Sequence, residues 1–469
     1  MSVTSLSFYA FVLVCWASFV LLRSSKQRLI LLLLASYVFY ATWALWFVAI
    51  LIASSVMNWL LGRFIKARPT TSRLWVGVAL NLGLLAVFKY LPPVFHKGVA
   101  AGILHSLIMP VGISFWTFQA LSYLFDVYRE EEMDPTLTEF CAYLAFWPTV
   151  LSGPVTRLPE MLPQLRALRT PIFDDDIAYG CRRIVVGLFM KVGVAQILAN
   201  GLLPGQGLIS GFDQITKGWG GIDVWVLAVG YGFQLFFDFA GYTNIVIGVA
   251  SLFGIQLPEN FRSPYLSTSA SAFWTRWHMS LSFWIRDYLF LPLAMARSEQ
   301  AWRYFALFFS MVIFGLWHGA ALTFICWGAY HGLLLVVHRQ WQGLARRWGW
   351  EGGRILDLLG WAVTFGAVSL GWIMFRVRDM QQAILMYRAA LSASAYRRLI
   401  LDPNLYVIVF GVTVGYFAVC GITSLYRRME TRAEFSRTAW ILSPTLYAFM
   451  LIVVILWSSG KTVFVYFQF

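Results

Sequence analysis

The chain has 469 residues, of which 59% are hydrophobic and 12% charged. Soluble domains carry about 25% charged residues, so this one lacks the charge to cover a water-exposed surface and reads as a polytopic membrane protein. The formal charge of +14 does not indicate nucleic acid, because the basic residues sit in short clusters between apolar stretches. Arg23/Lys26/Arg28, Arg63/Lys66/Arg68/Arg73, Arg339/Arg346/Arg347/Arg354 and Arg427/Arg428/Arg432/Arg437 have the pattern of cytoplasmic loops under the positive-inside rule. Five scattered cysteines give neither a disulfide framework nor a zinc pattern. No linker interrupts the chain, which reads as one domain over residues 1–469.

A membrane-crossing helix needs about 20 apolar residues. In chain order, the first such segment is Leu6–Leu22, which lacks the flanks of a cleaved signal peptide. Leu29–Gly62 carries no charge and predicts a tight hairpin of two spans. Leu74–Phe95 follows, with Lys89 near its end, where it can snorkel. Ile108–Phe125, Ile184–Leu203, Val224–Phe253, Trp302–Leu316, Leu322–Val337, Leu358–Phe375, Leu405–Ser424 and Trp440–Trp457 complete about eleven spans. With the basic clusters inside, the N-terminus lies outside. The short segment 139–153, which contains Pro148, reads as re-entrant. Such irregular backbone is tolerated at depth only when buried in protein or lining a cavity. From Trp274 to Leu289 the pattern is amphipathic: Trp274, Trp277, His278, Leu281, Trp284, Ile285, Tyr288 and Leu289 fall on one arc of about 140°. This predicts an interfacial helix with His278 on its buried side and Arg276, Ser280, Arg286 and Asp287 off it.

No P-loop, dinucleotide fingerprint, zinc-protease motif or hydrolase elbow is present. Candidate chemistry therefore rests on ionisable groups at membrane depth, which are costly and by default functional. His318, in Gly315-Leu316-Trp317-His318-Gly319-Ala320, is the sharpest. Its glycines allow backbone or substrate to approach closely, and a histidine suits proton abstraction from a hydroxyl. A buried histidine bonded to a carbonyl between helices has the same pattern. His331 would lie about 220° from His318 on a continuous helix, which makes it supporting or structural unless the helix breaks. Asp238 needs a partner that an arginine, a tyrosine hydroxyl or a histidine could supply. Lys191 reads as snorkelling or paired. Asp174-Asp175-Asp176 reads as a helix N-terminal cap, not a metal site, and no metal or bound cofactor is expected.

Several linked motifs carry a resemblance. Pro110-Val111-Gly112-Ile113-Ser114-Phe115-Trp116-Thr117-Phe118-Gln119 leads into Tyr123-Leu124-Phe125-Asp126-Val127-Tyr128-Arg129. Then come Phe237-Asp238-Phe239-Ala240-Gly241-Tyr242, Pro258-Glu259-Asn260-Phe261, Phe273-Trp274-Thr275-Arg276-Trp277-His278, Trp317-His318-Gly319 and Trp327-Gly328-Ala329-Tyr330-His331-Gly332. Over roughly residues 30 to 340 the chain resembles the membrane-bound O-acyltransferases, in the branch of the alginate O-acetylases and teichoic-acid D-alanyl transferases.

The resemblance implies an all-α transmembrane bundle in which funnels from each side meet at the catalytic histidine, His318, with His278 as the second polar site residue. Asp238, His331, Trp317 and Tyr242 become supporting candidates, and Arg276 and Arg286 possible donor contacts. The implied reaction moves an acyl group from a cytoplasmic thioester such as acetyl-CoA to a hydroxyl acceptor, O-acetylating an exported polysaccharide or envelope glycan at the bacterial inner membrane. The acceptor is reached directly or through a periplasmic acyltransferase. Asn244 replaces the Asp of alginate-type relatives, and Ala294-Met295-Ala296-Arg297 replaces a Gly-Gly-Asn-Arg segment. Ser152-Gly153-Pro154 leans toward D-alanyl transfer, so a carrier-protein donor is the alternative. A proton-coupled transporter and a non-enzymatic export scaffold are the readings from other classes; the absence of internal repeats counts against a transporter.

Overall fold

The computed structural model describes residues 1–91, 108–203, 205–214, 218–350, 352–429 and 433–457, with side chains described outside 426–443. The part of the Leu74–Phe95 segment beyond residue 91, the start of Trp440–Trp457 and the Arg427/Arg428/Arg432/Arg437 side chains lie outside these. The described residues are helical and contain no strand. Each expected apolar segment overlaps a helix among the described residues, and six of those helices are long and apolar enough to cross a membrane, where the sequence suggests about eleven spans. The chain is a multi-pass membrane protein.

Its contacts group into two compact units, residues 1–184 with 242–259 and residues 185–241 with 260–469. The first unit opens with α1 (Leu6–Leu21), α2 (Ser25–Ala41), α3 (Leu45–Ala67) and α4 (Thr71–Lys89). On α1 the buried residues Phe8, Val12, Cys15 and Phe19 recur at helical spacing while Leu13 and Val14 face outward, as a lipid-facing helix requires. The break between α2 and α3 at residues 42–44 confirms the hairpin. Arg28 is buried yet satisfied: it donates to the carbonyls of Leu22 (2.7 Å), Phe19 and Leu168 (both 3.3 Å) and to Thr170 Oγ1 (2.7 Å). Asn58 on α3 and Asn81 on α4 exchange amide hydrogen bonds of 3.1 and 2.7 Å, the interhelical polar contact that apolar surroundings favour. Next come α5 (Ile113–Tyr128), α6 (Leu137–Ala145) and α7 (Leu158–Arg166). The nine-residue α6 is far short of a crossing. The irregular backbone of 146–153 that follows it is buried throughout.

Two long helices belong to both units. α8 (Phe173–Asn200) contains π-helical turns at Phe173–Ala178 and Phe189–Val194, and α10 is Gly221–Ser251. At the start of α8 Asp176 accepts from the Ile172 N–H at 2.7 Å and pairs with Arg169 at 2.7 Å. The helix starts at Phe173, so the acidic run lies inside its first turn and does not precede the helix as the sequence suggests; of the three, Asp176 bonds the backbone at the helix start. Among the described residues no cluster of His, Cys, Asp or Glu is placed to hold a metal ion.

The second unit continues with α9 (Leu208–Asp213), α11 (Ala270–Trp274) and α12, in which the turns Met279–Ile285, Arg286–Phe290 and Leu291–Met295 follow without a gap. After these come α13 (Gln300–His318), α14 (Leu322–Arg347), α15 (Arg354–Arg376), α16 (Met380–Leu391), α17 (Pro403–Met429) and α18 (Ala433–Trp457). α13 and α14 form an antiparallel hairpin around two glycines. A Cβ on Gly315 would lie 2.2 Å from the Phe324 carbonyl and 3.0 Å from Gly328 Cα, and one on Gly328 would lie 2.3 Å from the Met311 carbonyl. The glycines near His318 therefore serve helix–helix contact: Gly315 faces α14, and Gly319 faces the Phe324 ring. Neither opens room for a substrate.

Candidate acyl-transfer site

His318 is the last residue of α13, just before the extended backbone of Gly319. It is buried in a box of aromatic rings drawn from three helices. Ring-centroid distances are 4.6 Å to Trp317, 4.8 Å to Phe375, 5.0 Å to Phe314, 5.2 Å to Trp327 and 6.3 Å to Phe324. Trp317 and Phe314 come from α13 itself, Phe324 and Trp327 from α14, and Phe375 from α15. Trp317 is thus placed beside His318, as its sequence position requires.

His331 joins the same cluster. The helix breaks between His318 and Leu322, so the angular separation of a continuous helix does not apply. Trp327 stands between the two imidazoles, 5.2 Å from His318 and 4.9 Å from His331. His331 also meets Trp274 at 5.2 Å and Trp372 at 6.3 Å. Its Nε2 is buried without a hydrogen-bond partner among the described residues, and a Cβ on Gly371 would lie 2.8 Å from it.

The expected amphipathic helix over Trp274–Leu289 is corrected. α11 stops at Trp274, residues 275–278 are turns, and α12 restarts at Met279. His278 sits at the break in the left-handed region, with φ +43° and ψ +52°, which costs a non-glycine residue of order 1 kcal/mol. Asn260 holds it there. The Asn260 carbonyl accepts from the Met279 N–H at 2.9 Å, and its Oδ1 accepts from Ser280 Oγ at 2.6 Å and Ser280 N–H at 3.2 Å. The Arg262 N–H adds a bond to the Arg276 carbonyl at 3.0 Å. Ser280 is therefore buried and bonded, not on an outer face. His278 is fully buried, its ring edge-on to Phe239 at 4.7 Å.

Asp238, one residue earlier on α10, finds its partner in Lys191, in the second π-helical turn of α8; both side chains are buried. The partner is thus a lysine 47 positions away, outside the arginine, tyrosine or histidine the sequence suggests. A Cβ on Gly241 would lie 2.8 Å from Lys191 Cβ and from the Gly187 carbonyl, so glycine one turn beyond Asp238 lets the helices close on the pair. Tyr242 is buried in the first unit's stretch of α10. Arg276 is half-buried. Arg286 is exposed, bonds Asp287 at 2.6 Å and lies over the Phe283 ring at 4.8 Å.

Sequence reasoning missed Phe314, Phe324, Phe375 and Trp372 as walls of the cluster. Helical spacing put Phe314 within reach of His318, one turn before it. The α15 residues follow after more than fifty positions with no motif to flag them.

The fold is that of a multi-pass helical membrane protein that walls a buried histidine with aromatic rings, and the comparisons give its family. The model of MBOAT, the membrane-bound O-acyltransferase family, matches residues 29–377, and the chain belongs to that family; it is an acyltransferase. It is 35% identical over 431 residues to a probable alginate O-acetylase AlgI of Pseudomonas aeruginosa, covering 88% of this chain and 80% of that one. A peptidoglycan O-acetyltransferase of Helicobacter pylori is 32% identical, with 81% and 78% covered. A teichoic acid D-alanyltransferase of Streptococcus thermophilus is 34% identical, with 50% and 58% covered.

Proposed function

We propose that the protein O-acetylates an exported polysaccharide or cell-envelope glycan in the bacterial cytoplasmic membrane, taking the acetyl group from cytoplasmic acetyl-CoA, with His318 as general base. The observation that carries this reading is the aromatic box around His318, at the tip of a glycine-tight hairpin within the family match. A thioester is already activated, so catalysis mainly requires a positioned base and exclusion of water. His318 takes the proton of the acceptor hydroxyl while the oxygen attacks the thioester carbonyl. The C–S bond then breaks, and the proton passes to the departing thiolate. His278 orients donor or base, His331 and Trp317 hold the shape of the cluster, and Arg276 and Arg286 meet the donor's phosphates. A periplasmic acyltransferase as the immediate acceptor is compatible with the same chemistry. The glycan class rests on the relatives named above, and D-alanyl transfer from a carrier protein is the second reading, favoured by the teichoic-acid relative.

The test is consumption of acetyl-labelled acetyl-CoA by purified wild type beside His318→Ala. Base catalysis of this kind contributes 10²–10⁴-fold, so the variant should lose about that much turnover while its thermal unfolding stays cooperative. Equal turnover in both would remove His318 from the chemistry. Turnover in neither, in folded protein, would point to a carrier-protein donor or to a missing partner.

A further inference from the structure

The second unit holds a cleft that the acyl-transfer chemistry does not use. Its volume is about 840 Å³, and its lining includes Gln196 and Asn200 at the end of α8, Ser210 and Asp213 on α9, and Leu456 and Trp457 at the end of α18. Two helices long and apolar enough to cross a membrane lead to it. α8 follows Arg166 and Arg169 and ends at the cleft; α15 follows Arg346 and Arg347, starts at Arg354 and ends at Arg376, whose side chain reaches Asp213 at 4.0 Å. With the arginine-rich starts on the cytoplasmic side, the cleft lies on the outer face.

The cleft is built on a fixed frame. The six-residue α9 is held from several sides. Trp219 Nε1 donates to the Gly211 carbonyl at 3.0 Å, Gln382 Nε2 donates to the Phe212 carbonyl at 2.9 Å, and Asp213 pairs with Arg378 at 3.0 Å. Gly207, just before α9, lies against the end of α8: a Cβ there would stand 2.3 Å from the Ala199 carbonyl. Arg376 directly follows Phe375, a wall of the His318 box, so cleft and box lie at the same end of α15.

The lining suits one kind of ligand. Asn200 Nδ2 donates to Gln196 Oε1 at 2.9 Å, which leaves Gln196 its amide donors and Asn200 its amide acceptor. Ser210 donates to the Gly205 and Gly207 carbonyls at 2.6 and 2.8 Å and keeps its lone pairs, and the Asp213 carboxylate accepts. These donors and acceptors share the cleft with an indole and an aliphatic side chain. A pyranose matches that mixture, with a C–H face for the indole and a rim of hydroxyls that each donate and accept. A phosphate would face the Asp213 carboxylate, and an acyl chain would cover four polar side chains without bonding them.

We propose that this cleft binds a sugar unit of the acceptor glycan other than the one acetylated. Trp457 covers the C–H face, and Gln196, Asn200, Ser210 and Asp213 bond the hydroxyls. None of the rings around His318 lines the cleft among the described residues. The unit held here is therefore remote from the reacting hydroxyl, and its binding keeps the glycan in place for transfer. The inference rests on the reading of an exported glycan as acceptor.

The experiment uses the full-length protein in a detergent without a sugar headgroup, titrated with two soluble probes, a β-linked uronate hexamer and a β-linked N-acetylhexosamine hexamer. Retention is read by native mass spectrometry. Wild type should retain at least one of the hexamers, bound one to one. Gln196→Ala/Asn200→Ala and Trp457→Ala should each weaken retention by about tenfold, with thermal unfolding still cooperative. Trp457→Phe, which keeps a ring, should recover most of the loss. His318→Ala should retain the hexamer as wild type does, so the cleft and the base are read apart. Retention of neither hexamer by wild type, or equal retention by wild type and both Ala variants, would overturn the proposal even where acetyl-CoA is consumed. Retention without acetyl-CoA consumption would keep the cleft and remove the donor reading. Loss of the hexamer in His318→Ala alone would also overturn the proposal, by placing the sugar in the acyl-transfer site.

Discussion

Trp327 and Asn260 show how single side chains hold the site. Trp327 separates His318 from His331, and its Nε1 has no hydrogen-bond partner among the described residues, so its contribution is shape. Trp327→Phe should therefore cost little stability, whereas Trp327→Ala should cost about 3–5 kcal/mol, read as thermal unfolding in detergent. A Phe variant as damaging as Ala would mean that the indole N–H is engaged. Asn260 contributes by bonding. Asn260→Ala removes both bonds to Ser280 and leaves the Ser280 hydroxyl buried without them, at about 1–3 kcal/mol. It also releases the left-handed turn at His278. Acyl transfer should fall more in Asn260→Ala than in Ser280→Ala, which keeps the bond from the residue 280 N–H to Asn260 Oδ1, while the backbone bond from the Met279 N–H to the Asn260 carbonyl survives in both.

Among the helices, the pairing of α8 with α10 gives the sharpest expectation. Removing one member of a buried ion pair strands a charge, while replacing both with apolar residues can be neutral. Lys191→Met alone should destabilise by about 3–5 kcal/mol, and Lys191→Met/Asp238→Leu should recover most of it in the same unfolding assay. A double variant no better than the single would show that Asp238 has work beyond the pair. The elements themselves were largely legible in the sequence, because lipid-facing helices need long apolar runs and the hairpin at 29–62 had too many residues for one span. The break at 275–278 was not. Trp277 and His278 stay buried as expected, but the turn depends on Asn260, a contact from outside the segment. The Lys191–Asp238 pair was hidden for the same reason: each residue was flagged alone, and only packing joins them. The histidine motifs were readable as local strings, whereas Trp372 and Phe375 reach the cluster through tertiary structure.

For the whole molecule, acid stability offers a test outside the spans. Glu139 at the start of α6 is held below its ordinary value of 4.5 by hydrogen bonds from Arg166, with Thr136 adding to the effect. A carboxyl lowered by folding stabilises the protein above its unfolded value, and that contribution is lost as pH falls through the folded one. Unfolding temperature should therefore fall, on acidification below about pH 4.5, more steeply in wild type than in Glu139→Gln. The difference should be modest, since the Arg166 side chain is half exposed and solvent screens the pair. Parallel curves would show that this pair contributes nothing to acid sensitivity.

The glycine contact between α13 and α14 also governs how the enzyme can diversify. With Gly315 and Gly328 backbone to backbone, a single added methyl at either must pry the hairpin open one turn from His318, so these two positions are closed to sequence drift. The lipid-facing surfaces a few residues away can exchange one aliphatic residue for another at little cost. The walls of the His318 box can thus change shape by substitution while the joint between the two helices stays as it is.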